Sequence, residues 1–139
     1  MSSGSKIRIA AAVVLNEQGE TLLVRKLGTS IFMQPGGKVA FGESAVDAPA
    51  REIAEELGCA IDRNAAFYAG RFQAPAANEP GWTIDADLFV VSLFGEPHAQ
   101  AEIAEIAWIL PTDVGDLVVA PLTRDFAQPI ACGTAPSTL

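Results

Sequence analysis

Cysteine and histidine are scarce in this chain, which has two cysteines and one histidine among 139 residues. Cys59, Cys132 and His98 are too far apart in the sequence to show the close spacing of a zinc site. Two isolated cysteines are typical of reduced core thiols, so we expect a reducing, cytoplasmic compartment. His98 has no partner nearby in the sequence, and we expect no catalytic role for it.

Basic residues and long apolar runs are also few. Nine Lys and Arg stand against seventeen Asp and Glu, which gives a formal net charge of −8. A polyanion such as duplex DNA is bound through many basic contacts, so general nucleic-acid binding is not expected. No apolar run reaches the roughly 18–20 residues that span a bilayer, and we expect no membrane partner. A small phosphorylated ligand remains compatible with the charge, because a divalent cation can invert the local field.

Apolar patterns predict one domain with more strands than helices. Half of the residues are hydrophobic, which suffices for a buried core at this length. Longer strands are predicted at 6–15, 21–27, 65–74, 82–94 and 103–110. We expect the first two of these strands to form one hairpin and the next two to form another. Helices are predicted at 44–57 and, as short terminal pieces, at 111–117 and 121–131. We assign residues 1–5 to a flexible tail and 6–139 to a single domain of the α+β or mixed α/β class.

The most informative stretch is "PGGKVAFGESAVDAPAREIAEELGC", residues 35–59, in which acids follow a glycine loop. On a helix, Glu52, Glu55 and Glu56 stand at i, i+3 and i+4 and share one face. With no Lys or Arg placed to offset them, three like charges destabilise an isolated helix, so the cluster favours a bound cation. Carboxylates suit hard ions such as Mg²⁺ or Mn²⁺. The alternative is a solvated acidic helix after an ordinary turn.

Pro49 leaves the start of this helix open. If Ser44 caps the helix, Pro49 lacks an N–H that should bond the carbonyl of Ala45. If Asp47 caps it, Pro49 lies in the first turn, where a missing donor is harmless.

The same stretch resembles the signature of the Nudix hydrolases. That pattern is a glycine, five residues, a glutamate, seven residues, then Arg-Glu-aliphatic-any-Glu-Glu-any-Gly-aliphatic. Its positions are filled in register by Gly37, Glu43, Arg51, Glu52, Ile53, Glu55, Glu56 and Gly58. Cys59 takes the last aliphatic position, a mild departure because a buried cysteine behaves as a small hydrophobe. The resemblance implies an α/β/α sandwich with a mixed sheet.

The resemblance also implies roles for single residues. The activity would be hydrolysis of a nucleoside diphosphate linked to another moiety, dependent on Mg²⁺ or Mn²⁺. Glu43 and Arg51 would pair and hold the loop on the helix, which is a structural role. The carbonyl of Gly37 would be a further metal ligand beside the three carboxylates of Glu52, Glu55 and Glu56.

The general base is left open between Glu52, Glu56 and a carboxylate from a later loop. For that later carboxylate the candidates are Glu102 and Glu105, in the stretch "AEIAEIAWI" just before Trp108, and Glu102 is preferred. All three catalytic candidates, Glu52, Glu56 and Glu102, are acids.

The substrate is also left open. Pro75 stands sixteen residues beyond the signature, where ADP-ribose pyrophosphatases of the family tend to carry a proline, which favours an ADP-sugar such as ADP-ribose. The alternatives are a house-cleaning nucleoside triphosphate pyrophosphatase and a Nudix-like module that binds nucleotides without hydrolysis. Arg25 and Arg71 are candidate phosphate contacts. A homodimer is expected only by analogy with the family.

Overall fold

A computed structural model describes residues 5–133 of the chain. Its strands are β1 (Ser5–Val14), β2 (Thr21–Lys26), β3 (Phe32–Met33), β4 (Gly36–Lys38), β5 (Ala60–Ile61), β6 (Phe67–Pro75), β7 (Trp82–Val91), β8 (Leu93–Phe94) and β9 (Ile103–Ile109). Its helices are α1 (Asp47–Leu57) and α2 (Gln128–Ala131). A 3₁₀ turn (Arg63–Ala65) precedes β6, and a π-helical turn (Thr123–Ala127) runs into α2.

The main sheet has the strand order β4-β1-β7-β6. β1 pairs with β7 in parallel over ten positions, from Ser5 opposite Trp82 to Val14 opposite Val91. β4 and β6 lie antiparallel to their neighbours, so the sheet is mixed. A second sheet has the order β3-β2-β9, and β5 pairs with β8. Among the described residues no helix is long and apolar enough to cross a membrane.

The alternation of side chains along β1 gives the main sheet two buried faces. Ala10, Ala12 and Val14 pack with Ile53 and Leu57 of α1 on one face. The other face packs against the C-terminal helical segment, with a core made by Ala11, Val13, Phe72, Leu88, Leu122 and Ala127. The sheet therefore lies between helices, and the predicted α/β/α arrangement is confirmed.

Three predictions about local structure are wrong. The strand predicted at 82–94 is divided into β7 and β8, which belong to different sheets. β1 and β2 do not form a hairpin, because they belong to different sheets and share only a bridge between Leu15 and Thr21. The segment 111–117 forms turns instead of a helix. The hairpin of β6 and β7 and the helical segment after residue 120 are confirmed. Residues 1–4 of the expected tail lie outside the described residues, and Ser5 is the first residue of β1.

Helix α1 begins later than residue 44 and ends where expected. Asp47 is its first residue, so Pro49 lies in the first turn, where the missing N–H is not needed. Gly58 takes the left-handed conformation (φ 69°) just after the last residue, and its N–H bonds the Ala54 carbonyl at 3.2 Å.

A buried carboxylate ties three positions of the sheet together. Asp87 on β7 is 2% exposed. It accepts hydrogen bonds from Arg8 on β1 (2.9 Å), from the Tyr68 hydroxyl (2.8 Å) and from Arg71 (3.0 and 3.2 Å). Burial by itself raises the pKa of Asp87, but the bonds from Arg71, Tyr68 and Arg8 outweigh it, so the pKa is lowered. Arg71, a candidate phosphate contact, is thus paired with Asp87, although its side chain stays 48% exposed.

Replacing Asp87 by Asn should destabilise the fold at neutral pH. Because the pKa is lowered in the folded state, the stabilisation is present above the unfolded-state pKa and is lost as pH falls through the folded-state value. We expect Asp87→Asn to lower the free energy of unfolding by about 1–3 kcal/mol at pH 7. Urea unfolding should show the difference shrinking in strong acid. Asp116→Asn, at an exposed position, is the control and should change little at either pH.

Candidate active site

Helix α1 sets the directions of the acidic side chains. Ile53 and Leu57 are fully buried and fix the inner face of the helix. The three acids lie beside that face but differ in exposure. The Glu55 side chain is 60% exposed and that of Glu52 is 19% exposed. Glu56 is only 7% exposed, so it is the one drawn into the protein.

Arg51 and Glu43 hold the preceding loop on the helix. Arg51 Nε donates to Glu43 Oε2 at 2.9 Å, and Nη2 donates to Glu43 Oε1 at 3.1 Å. Nη2 also donates to the carbonyl oxygen of Lys38 at 3.1 Å. The bonds from Arg51, and the backbone N–H of Ala40, lower the pKa of Glu43. The structure thus brings together the pair that the resemblance implies.

Arg51 also neutralises part of the acidic face. Its Nη1 donates to Glu52 Oε2 at 2.7 Å and lies 3.8 Å from Glu55 Oε1. The expectation that no basic side chain offsets the acids is therefore wrong. The reason is geometric: on a helix, Arg51 stands four residues before Glu55 and reaches the same face.

Glu56 is the acid that Arg51 does not pair with. Its Oε1 atom is buried and has no hydrogen-bond partner among the described residues. Burial first, and then the charge of Glu52, raise the pKa of Glu56 to about 7. The charge of Lys26 opposes this rise in the pKa of Glu56, and the charge of Glu102 adds to it.

The loop before β9 covers the end of α1 and carries Glu102 to the site. The backbone N–H groups of His98 and Gln100 donate to the carbonyls of Leu57 and Glu56, both at 3.0 Å. The side chain of Gln100 donates to the Glu55 carbonyl at 3.0 Å. These bonds satisfy carbonyls that a helix end otherwise leaves free.

The structure separates the two later acids. Glu102 follows Gln100 by two residues, and the Gln100 N–H donates to the Glu56 carbonyl at 3.0 Å; the charge of Glu102 also contributes to the raised pKa of Glu56. Glu105 is instead paired with Arg25, whose Nε donates to Glu105 Oε1 at 3.1 Å. Arg25 also donates to the carbonyl of Thr29 at 2.8 Å. Arg25 is therefore engaged, like Arg71, and neither arginine lines the pocket described next.

A pocket of about 170 Å³ adjoins the acidic face. Two of its lining residues connect it to the acids of α1. Gly37 lies against the Glu52 side chain, and the charge of Lys26 acts on Glu56. Its apolar walls come from the main sheet, from β3 of the second sheet and from the C-terminal segment, and include Ile7, Ile9, Met33, Ile84 and Leu122. Its polar lining residues are Lys26, Gln34, Lys38, Asn78, Glu79 and Thr123. An apolar cleft with few polar groups is the usual form of a small-molecule site.

Sequence reasoning missed Lys26, Gln34 and Thr123. Gln34 and Thr123 are 89 residues apart, and only the fold brings them together. Lys26 directly follows the candidate Arg25, and the alternation of a strand places the two side chains on opposite faces.

The residues present fit a hard divalent cation. A buried carboxylate oxygen without a partner, Glu56 Oε1, gains most from a cation beside it. The acidic face of α1 supplies the carboxylates of Glu52, Glu55 and Glu56, and Mg²⁺ and Mn²⁺ prefer carboxylate oxygens. Within residues 5–133, however, no three Asp, Glu, His or Cys side chains converge as they stand. Since Glu52 is held by Arg51 and Glu55 is exposed, binding would require these two to turn.

The two loop glycines allow a matched test of the site. A Cβ on Gly37 would lie 2.7 Å from Glu52 Oε2, at the end of a flexible side chain. A Cβ on Gly36 would lie 2.4 Å from the backbone oxygen of Ala10, which cannot move easily. We expect Gly37→Ala to displace Glu52 and weaken Mn²⁺ binding about tenfold or more, with little change in melting temperature. Gly36→Ala should instead lower stability by about 1–3 kcal/mol.

Calorimetric titration with Mn²⁺ and thermal melting of both variants give the answer. If Gly37→Ala binds Mn²⁺ with unchanged affinity, Glu52 is not a ligand of the metal.

Comparison with known proteins agrees with the fold and the signature. The family model described as NUDIX domain matches residues 5–130. A Bacillus subtilis protein, to which 8-oxo-dGTP diphosphatase activity is provisionally assigned, is 37% identical over 73% of this chain and 65% of its own length. An 8-oxo-dGTP diphosphatase of Haemophilus influenzae is 41% identical over 48% of this chain and 51% of its own. The chain thus matches less than two thirds of the length of these relatives.

A solved structure extends the likeness to the whole fold. The crystal structure of a MutT Nudix hydrolase from Burkholderia pseudomallei superposes with a TM-score of 0.73 at 24% identity, covering 94% of this chain and 98% of the other. At that identity the likeness establishes the fold. Together with the family match over nearly all described residues, it shows that the chain belongs to the Nudix family.

Proposed function

We propose that this chain is a house-cleaning nucleoside triphosphate pyrophosphohydrolase, with 8-oxo-dGTP as the first candidate substrate. The observation that carries the proposal is the largely apolar pocket lined by Gly37 and Lys26, because Gly37 lies against the Glu52 side chain of α1. A base can occupy the pocket while its phosphates meet the acids and their cation. The names of the Bacillus and Haemophilus relatives support a triphosphate substrate.

The expected ADP-sugar substrate is therefore replaced by the alternative. It rested on Pro75, which is the last residue of β6 and one of many pocket-lining residues. A proline in that turn-rich stretch is explained by its position at the end of a strand. No observation at the site favours a second sugar.

Lysines take the role first assigned to arginines. Lys26 and Lys38 line the pocket, whereas Arg25 and Arg71 are engaged by Glu105 and Asp87. An ammonium group suits a phosphate chain because it offers three rotatable donors to oxygens in varied positions. We assign the phosphate contacts to the two lysines.

The acids would hold Mg²⁺ or Mn²⁺ through the carboxylates of Glu52, Glu55 and Glu56, with the carbonyl of Gly37 as a further donor. Such an ion supplies neutralisation of the charge that develops on the phosphoryl oxygens. Arg51 and Glu43 keep β4, which contains Gly37, and the loop that follows it against the helix.

The proton of the attacking water must go to a carboxylate near the site. The charge of Glu102 acts on Glu56 and comes from a different element, so Glu102 is the better candidate among the later acids. Glu105 is less suited because Arg25 already occupies it. Glu52 and Glu56 remain candidates as well, since both lie on the same face.

Two further expectations stay proposals. Cys59 and Cys132 are both free thiols, which agrees with a reducing compartment such as the cytoplasm, but only Cys59 is a core thiol because Cys132 is exposed. A homodimer also remains a prediction.

A product assay tests the proposal. We expect 8-oxo-dGTP, with Mg²⁺ or Mn²⁺, to yield the nucleoside monophosphate and pyrophosphate faster than ADP-ribose yields AMP. Glu102→Gln should slow turnover about 10²-fold or more, whereas the matched Glu105→Gln should keep most of it. The proposal fails if no nucleoside triphosphate is cleaved to pyrophosphate, or if ADP-ribose is the better substrate. The preference for Glu102 over Glu105 as the general base is wrong if only Glu105→Gln loses turnover.

A further inference from the structure

Gln34 and Thr123 form a buried polar pair at the wall of the pocket. Gln34 lies between β3 and β4 and is 5% exposed, and Thr123 opens the π-helical turn and is fully buried. The Thr123 hydroxyl donates to Gln34 Oε1 at 2.7 Å. Both residues line the pocket, so the pair joins its two sides.

The carboxamide of Gln34 is only half satisfied. Its Nε2 atom is buried and has no hydrogen-bond partner among the described residues. Buried donors without partners are rare, because each loses its hydrogen bond to water without gaining one in the protein. Because Thr123 fixes the oxygen of the amide, the remaining unpaired group of Gln34 is a donor.

We propose that Gln34 selects the base of the substrate by donating from Nε2 to a carbonyl oxygen, and that Thr123 sets the orientation of its amide. This proposal rests on the proposed function. Guanine-type bases carry a carbonyl at position 6, where adenine carries an amino group. An amino group opposite Nε2 would place two donors face to face, so the pocket accepts 6-oxo purines and rejects 6-amino purines.

The unpaired donor becomes useful only when a ligand is bound. Nε2 is covered in the ligand-free pocket. The terminal torsion of a glutamine is broad, so a modest rotation of the carboxamide presents a hydrogen to a base that has entered. The correct base then recovers a hydrogen bond that the free protein lacks. A site that depends on such a bond discriminates more strongly than an apolar contact does.

The test compares two purines that differ at this position, hypoxanthine and adenine. In the parent, kcat/KM for dITP should exceed that for dATP at least tenfold, and IMP should bind more tightly than AMP. Gln34→Met keeps the length of the side chain and removes the donor, so both ratios should fall towards one. If Gln34 served only the folding of the protein, its replacement would lower kcat/KM for dITP and dATP equally and leave both ratios unchanged.

Thr123 supplies an independent check if Gln34→Met does not fold. Thr123→Ser keeps the hydroxyl and should keep the dITP preference. Thr123→Val frees the amide to turn its oxygen to the base, so the preference should fall. Gln128→Met is the matched control, because Gln128 is also buried with a half-satisfied amide but does not line the pocket.

The outcomes separate this proposal from the proposed function. If the parent cleaves no triphosphate but binds IMP over AMP through Gln34, the function is wrong and the assignment of Gln34 stands. If the parent cleaves triphosphates and Gln34→Met keeps the parental ratios, the assignment is overturned and the function stands. A parent that prefers dATP, or that binds neither monophosphate, also overturns the assignment.

Discussion

The buried carboxylate of Glu56 is the constraint on which the site depends. Packing of Ile53 and Leu57 against the sheet fixes how α1 is rotated, and this rotation places Glu56 on the inner edge of the helix. There its Oε1 finds no donor among the described residues, and its neighbours include Glu52 and Glu102. A protein retains such a costly group when something absent from the free chain satisfies it. Under the proposed function, a cation bound with the substrate would satisfy this oxygen.

A second buried carboxylate shows what a purely structural acid looks like in the same fold. Asp87 is as deeply buried as Glu56 but accepts four hydrogen bonds from three residues. Its pKa is lowered, whereas that of Glu56 is raised to about 7. Asp87 is thus a fully hydrogen-bonded acid that joins neighbouring strands, whereas Glu56 has a buried oxygen without a hydrogen-bond partner. Gln34 resembles Glu56 in this respect, since its amide is also buried and only half paired.

The sequence was most informative where the structure is local. The spacing of the acids, the end of α1 at Gly58 and the pairing of Glu43 with Arg51 all lie within one short segment. Pattern reasoning failed where pairing is non-local: β1 pairs with β7, more than seventy residues later, instead of with β2. A turn between two apolar runs looks the same whether the strands pair with each other or join different sheets.

The pocket was the part least accessible to sequence reasoning. Gln34 and Thr123 meet across 89 residues, and each is an ordinary polar residue in its own segment. Arg51 shows a different limit, because its long side chain reaches Glu43, Glu52 and Glu55 at once. Counting charges along the helix therefore overestimated the repulsion among the acids. Which acid stays unpaired depends on burial, and burial comes from the fold.

Thermal unfolding of the parent and of Glu56→Gln, with and without millimolar Mn²⁺, tests the central claim most directly. Without metal the variant should unfold at the same or a higher temperature, because a buried charge beside two acids has been removed. Mn²⁺ should stabilise the parent, by about 2.7 kcal/mol at a hundred times its Kd, and should stabilise the variant far less. Glu105→Gln, paired outside the cluster, should respond like the parent. A Glu56→Gln variant that gains as much from Mn²⁺ as the parent would contradict the account.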